Sequence, residues 1–401
     1  MADPTTGAWR TVLSATAVST LGDQLAKVAI SVLVLQRTGS VALTAVVYGL
    51  TLLPEVIGGL ALGGLADRYS RRSVMVGCAA IQAILVAVMA VPSMPFAVLA
   101  VAVAGVAVLA APARAAQSAV SLDLLGPQRN GAGQARLTVV LELGQLAGLG
   151  GAALVVAKFG TTWALVGDAV SFALVAWLLR LNLPVLPPSG TPRTAVRRRS
   201  AWRVVTTDRT LRTLAGLALL VALTMVPDGV MAPLVREMGQ PTWLVGLLLA
   251  ADCLGVAVGA AVAERWSVAT QRRLVGPLAV LTFLPLLGFL FRPGPVVAAV
   301  LLVLSGAGQA YLPLAKDAFS QAVPARMIAS ANALVGTGVR VGQGVAAMVG
   351  GAVALLLDSP ARAVAVAGLV GLVLAVAGAA SWRAVREPSV AASPAEEGPV
   401  R

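Results

Sequence analysis

The chain has 401 residues, of which 58% are hydrophobic and only 12% charged, and its mean hydropathy is +0.88. A soluble domain carries about twice that share of charge, so lipid is expected to solvate most of the surface. The net charge of +13 sits in short loops between apolar runs, which is the pattern of membrane topology and argues against nucleic acid as a partner.

Met1–Arg10 is short and polar, with no cleavable signal read there, and the apolar run behind it is expected to remain as an anchor. Runs of about 20 residues are needed to cross a bilayer. In chain order they fall at roughly 11–36, 41–66, 73–91, 95–118, 134–157, 162–180, 211–235, 242–263, 274–291, 295–316, 332–357 and 362–382. Turn clusters separate neighbours: Thr38-Gly39-Ser40, Pro92-Ser93-Met94-Pro95, Arg292-Pro293-Gly294-Pro295 and Asp358-Ser359-Pro360. The one long loop, 181–210, is polar and holds Pro184, Pro187, Pro188 and Pro192 before Arg197-Arg198-Arg199. Residues 387–401 read as a disordered tail. The division expected is therefore 1–180 as a first six-helix bundle, 181–210 as a basic linker, 211–386 as a second bundle, and the tail.

With both termini cytoplasmic, few basic residues face the other side: Arg37, Lys158, Arg236, Arg292 and Arg362, out of 30. The reverse orientation would break the positive-inside bias. A plasma-membrane, multi-pass, monomeric protein is expected. Histidine is absent, and Cys78 and Cys253 lie far apart in apolar segments, so no metal site and no cofactor are expected.

The chain also repeats itself. Ala66-Asp67-Arg68-Tyr69-Ser70 is echoed by Ala263-Glu264-Arg265-Trp266-Ser267, and Glu142-Leu143-Gly144-Gln145 by Arg340-Val341-Gly342-Gln343. Internal duplication at half length, within membrane-grade hydrophobicity, points to two related bundles that move a solute between them.

These features resemble the major facilitator superfamily over nearly the whole chain. The most specific stretch is Gly63-Gly64-Leu65-Ala66-Asp67-Arg68-Tyr69-Ser70-Arg71-Arg72, which matches the family's glycine, acid, basic, basic loop except that Ser70 replaces a glycine. The resemblance implies an all-α polytopic fold of about twelve spans in two pseudo-twofold-related six-helix bundles. Asp67, Arg68, Arg71 and Arg72, with Gly63 allowing close packing and Glu264-Arg265 as the second copy, are then expected to form a cytoplasmic gate that breaks when the bundles rock. The alternative is that these arginines only set topology. Arg114-Ala115-Ala116-Gln117-Ser118 resembles the buried-arginine motif of proton-coupled members. Gly144 and Gly148 resemble part of the antiporter glycine motif, although Leu149 stands where that motif has proline; they serve equally as a helix-packing seam. Leu21-Gly22-Asp23-Gln24 and Leu53-Pro54-Glu55 are similar to the drug, macrolide and siderophore efflux branch.

Ionisable groups in mid-membrane cost at least ~2.5–3.5 kcal/mol each on insertion scales, so they mark function or pairing. Asp23 and Lys27 are four apart and share a helix face. Asp23 is the expected proton carrier and Arg114 its counter-charge, whose approach favours the ionised carboxylate and whose departure favours the neutral acid; a static ion pair is the competing reading. Glu55, behind Pro54, is expected to face the cavity. Glu142 and Arg340 hold matching repeat positions and are expected either to latch the halves together or to form a structural pair. Asp168 and Asp252 are expected near helix ends, and Lys316–Asp317 as an interfacial pair. A wall mostly of Ala, Val, Leu and Met suits a lipophilic or weakly cationic solute. The reading is a proton-coupled exporter of a small amphipathic molecule and not an enzyme. The alternatives are an importer or facilitator of a nutrient and, more distantly, a polytopic membrane enzyme, for which the short loops and missing histidine leave no catalytic cluster.

Overall fold

The computed structural model of the chain describes residues 4–62, 65–185, 196–324 and 327–386, and among these it is helix and turn with no strand. Among the described residues eleven helices are long and apolar enough to cross a membrane: Gly7–Thr38, Val41–Ala61, Arg71–Met89, Phe96–Gly126, Arg136–Asn182, Arg209–Glu237, Leu244–Ala263, Val268–Phe291, Pro295–Ala322, Ser330–Leu356 and Pro360–Val385. The fifth runs for 47 residues and is broken at Gly160, where φ is 82° and ψ 178°. A side chain rarely tolerates that backbone conformation. The break divides the helix into 136–159 and 161–182, each of spanning length, and twelve spans result. Gly126, at φ 69°, makes the corresponding break between the fourth and fifth spans.

Four span boundaries differ from the sequence expectation by five residues or more; among them the ninth span begins at Val268 rather than 274, and the tenth runs to Ala322 rather than 316. The second span stops at Ala61, and the four-residue helix Leu65–Arg68 leads to the third. The fourth span continues to Gly126, beyond 118, because Ala119 to Leu125 supply no helix breaker. The expected linker contains a helix, Val196–Thr207, which packs on the seventh and eleventh spans. Residues 186–195 and the expected tail lie outside the described residues, as does Gly63.

Spans pair alike in the two groups of six. In the first, span one lies on span five, span two on span four, and span three is tied to span six where Arg72 donates to the Arg180 carbonyl. In the second, span seven lies on eleven, eight on ten, and nine on twelve, with Trp382 Nε1 donating to the Arg272 carbonyl at 2.9 Å. Apolar side chains such as Phe291 and Leu356, each 83% exposed, face outward where lipid would lie.

The two groups meet unevenly. Span two packs on seven and eleven, and span five on eight. These contacts cluster toward the face opposite Ala8 and Arg386: Gly351 receives Ala45, and Gly246 lies against Leu149 and Ala153. One apolar core runs through both groups there, joining Val28, Val34 and Val47 to Val230, Met231 and Leu248. At the other face, a separate cluster of Trp9, Val12, Met75, Val120 and Leu179 belongs to the first group alone. The molecule is sealed at one face and parted at the other.

That seal depends on missing side chains. A Cβ on Gly49 would stand 2.5 Å from Met348 Cγ and 2.9 Å from the Gly344 carbonyl oxygen. Gly49→Leu is therefore expected to cost about 1–3 kcal/mol by overpacking, read as a lower thermal unfolding midpoint of the purified protein. In the same background, Ala45→Cys, at a position now fully buried, should become reactive to an impermeant maleimide. An unchanged midpoint with a silent thiol would show that the seal lies elsewhere.

Candidate functional site

A cavity of 470 Å³ opens among the first six spans, and Asp23, Lys27, Glu55, Arg114, Glu142 and Arg340 all line it. This volume is in the range of small-molecule sites, about 300–1,000 Å³. Its position follows from local structure. Span one presents Thr16, Thr20, Asp23 and Lys27 at three- and four-residue spacing, one continuous face. Thr16 Oγ1 accepts a 2.6 Å hydrogen bond from Gln117 Nε2, which ties span one to span four. Gln82 Nε2 donates to the Val106 carbonyl at 3.1 Å and ties span three to span four.

Glu55 reaches the cavity because span two is interrupted. Its helix stops at Leu50 and restarts at Leu53 with Pro54 in the first turn, so Glu55 occupies the amino-terminal turn of the second segment. A carboxylate is favoured there by the free N–H groups. Arg114 Nη2 lies 2.5 Å from Glu55 Oε2, and Arg340 Nη1 lies 3.9 Å from the same oxygen. Glu55 thus binds together spans two, four and eleven, and so both groups of six.

This pairing corrects two expectations. Arg114 engages Glu55 rather than Asp23, which feels it only at longer range. Arg340 approaches Glu55 rather than Glu142: spans five and eleven hold matching repeat positions, yet span eleven packs on span two. Asp23 and Lys27 stay within electrostatic reach on one face, with no ion pair under 4.0 Å between them.

The other acids have distinct settings. Asp168, 1% exposed, sits within span six rather than at its end, contributes to the cavity wall, and accepts from Ser171 Oγ at 3.1 Å where Gly22 lets span one approach. Asp228 accepts from Tyr48 Oη at 3.2 Å, a second polar contact between the groups. Asp252 accepts from Gln309 Nε2 at 3.2 Å between spans eight and ten. Lys316 lines a smaller cavity of 240 Å³ with Phe319, Asn332 and Val335; no ion pair joins it to Asp317 among the described residues. Gly148 lies against span one, where a Cβ would stand 2.8 Å from Gln24 Cβ, and Gly144 lies against Thr20.

At the loop between spans two and three, the Asp67 side chain lies outside the described residues, and Arg68 is exposed. Arg71 forms an ion pair with Asp123 at the end of span four, and Arg72 reaches span six. Glu264 and Arg265 are exposed. In the second copy the corresponding ties come from Gln271, which donates to the Ala263 carbonyl at 3.0 Å, and from Arg272, which donates to Gln321 Oε1. Sequence reasoning missed Asp123, Tyr48, Gln82 and Gln117. Only Gln117 had a signal, one turn beyond Arg114.

The family model described as Major Facilitator Superfamily matches residues 12–311. No curated protein sequence matches the chain. Among solved structures, the nucleoside transporter NupG superposes with a TM-score of 0.77 at 14% identity, covering 94% of this chain and 99% of its own. A bacterial homolog of the human lysosomal transporter Spinster, inward-facing and unoccupied, gives 0.71 at 15% identity over 95% and 97%. A bacterial homologue of the iron transporter ferroportin, inward-facing, gives 0.72 at 14% over 92% and 98%.

If Glu55 and Arg114 act as one unit, Glu55→Gln and Arg114→Gln will each lower the unfolding midpoint. The double variant will then lose less than the sum, with a coupling of roughly 0.5–3 kcal/mol. Additive losses would show that the two side chains stabilise the bundle independently.

Proposed function

This chain belongs to the Major Facilitator Superfamily, and on that premise we propose that it exports a small amphipathic molecule in exchange for protons. It is a secondary transporter. The observation that carries the proposal is the convergence of seven ionisable side chains, Asp23, Lys27, Glu55, Arg114, Glu142, Asp168 and Arg340, on one cavity whose remaining wall is mostly apolar with threonines and glutamines among it. Such groups persist in a membrane when they pair or serve transport, and an apolar wall with a few polar groups suits an amphipathic solute.

In this reading residues 1–180 and 211–386 are two bundles that rock about the cavity, joined by the 181–210 linker. The termini are cytoplasmic in the plasma membrane, and the protein acts as a monomer. The sealed face is then the outer one, and the cavity is entered from the cytoplasm. Asp23 carries the proton. It has no ion-pair partner under 4.0 Å among the described residues, and Arg114, engaged by Glu55, influences it only from a distance. Rocking withdraws Arg340 from Glu55, draws Arg114 more fully onto that acid, and changes the field at Asp23. The proton is thereby taken up at one face and released at the other. Arg71 and Arg72 stiffen the cytoplasmic ends of spans three, four and six, so that Asp67, Arg68 and the Glu264–Arg265 copy can close as a gate against a rigid rim.

Asp23→Asn should abolish proton-driven dye efflux, measured as uptake of a lipophilic fluorescent dye into inverted vesicles under an imposed pH gradient, with folding and dye binding retained. Wild-type rates in that variant would remove Asp23 from the mechanism. Direction is read in cells: a deletion strain that accumulates more dye supports export, and loss of uptake of a nutrient supports import.

A further inference from the structure

Arg340 is incompletely satisfied. Its Nη1 stands 3.9 Å from Glu55 Oε2, beyond hydrogen-bonding distance, and its guanidinium makes no hydrogen bond among the described residues. Arg114 already occupies the same oxygen. Two guanidiniums from opposite groups of spans thus share one carboxylate. Their side chains are 46% and 41% exposed, against 14% for Glu55, so the cations face the cavity and the acid stands behind them. Lys27 lines the same space and lies within electrostatic reach of both arginines. A guanidinium inside a membrane without acceptors is costly, and its planar fork fits a carboxylate or phosphate through two parallel hydrogen bonds. None of the three other acids of the cavity pairs with these arginines: Asp168 is buried against Ser171, Asp23 has Lys27 one turn away, and Glu142 on span five makes no ion pair under 4.0 Å with either among the described residues.

Away from this polar belt the cavity changes character. Its lining continues between spans three, four and six, inside the first group and off the seam, along Val86, Met89, Val103, Ala107, Phe172 and Val175. Each of these is at most 7% exposed, so this recess is narrow and a chain enters it by displacing side chains. The polar side chain in that recess, Gln82, is already engaged by the Val106 carbonyl. One end of the space asks for an anion, and the other accepts only hydrocarbon.

We propose that the transported molecule is a single-chain amphiphile with a carboxylate or phosphate head, the head held by Arg114 and Arg340 and the chain lodged in the recess beside Ala107. This rests on the reading of the cavity as the transport site.

The test uses the full chain in phosphatidylcholine nanodiscs without a pH gradient. Binding of radiolabelled dodecanoate is measured by scintillation proximity, with empty discs subtracted. Saturable binding is expected, displaced by dodecyl phosphate but not by dodecyltrimethylammonium or hexanoate. Arg340→Gln should weaken it about tenfold or more, and Arg340→Lys, which keeps the charge without the fork, should fall between. Ala107→Phe should weaken dodecanoate binding with both arginines intact. The head assignment is overturned if dodecyltrimethylammonium competes as well as dodecanoate, or if Arg340→Gln binds like wild type. The chain assignment is overturned if hexanoate competes equally or Ala107→Phe is silent. Loss of binding when phosphatidylglycerol is included in the discs would assign the site to a two-chain bilayer lipid and overturn the single-chain proposal. Dodecanoate binding without proton-driven transport would sink the exchanger alone; proton-driven efflux of a cationic dye with no dodecanoate binding would sink the amphiphile alone.

Discussion

Hydrocarbon gives a charged side chain two tolerable settings, a partner or a wet cavity, and much of this molecule follows from that constraint. Each ionisable group placed in mid-span by the first six helices lines the same space. Glu55 is its centre. It can be so only because span two breaks at Thr51 and Leu52 and restarts with Pro54, which sets a carboxylate on a helix amino terminus instead of on a continuous helical face. From there it reaches Arg114 on its own side and Arg340 across the seam. The contact across the seam is the looser of the two, as motion between the halves requires.

Close packing supplies the second constraint. With lipid on both sides there is little hydrophobic drive for helices to associate, so small residues and backbone proximity must do it. Four glycines of spans two, eight and eleven, Gly49, Gly246, Gly344 and Gly351, lie where the groups touch, while others such as Gly58, Gly148, Gly255 and Gly259 bring helices together within each group. At the face of Ala8 and Arg386 the apolar cluster around Trp9 and Leu179 never joins the common core. Unequal sealing of two otherwise similar ends is the property alternating access needs, and here it arises from side-chain size along the spans. The Tyr48–Asp228 hydrogen bond sits within that sealed region, so opening the far face must break it.

The spans themselves were legible because apolar runs and proline- or glycine-rich turns carry their own physics. The cavity face of span one was legible too, since Asp23 and Lys27 share a face whatever the tertiary fold. Partners were harder. Glu142 and Arg340 hold equivalent repeat positions, which suggested that they meet; equivalence by repeat fixes where residues sit in their own bundles, and packing across the seam pairs span eleven with span two. Asp123 escaped notice because a lone acid at a helix end looks like any solvated charge until the start of span three, with Arg71, is laid beside it. Tyr48 was invisible for the same reason: a tyrosine in an apolar run carries no sign that its hydroxyl meets Asp228 from the other group. The break at Gly160 falls between the expected spans 134–157 and 162–180, whereas the end of span four near Gly126 was obscured because helix continues past 118 and resumes directly after the break.

The acids and the arginines of the cavity need not compete for one role. Asp23 lies a turn from Lys27 and has no guanidinium against it, and in the proposed cycle it is the group that takes the proton. Arg114 and Arg340 are held by a buried carboxylate and turned toward open space, which leaves them free to exchange that carboxylate for another anion. A carrier built this way separates its two ligands by chemistry rather than by distance. In the proposed exchange the proton acts on the acid of span one and the solute on the shared acid of span two, and the link between them is Arg114 of span four, which pairs with Glu55 and lies within electrostatic reach of Asp23.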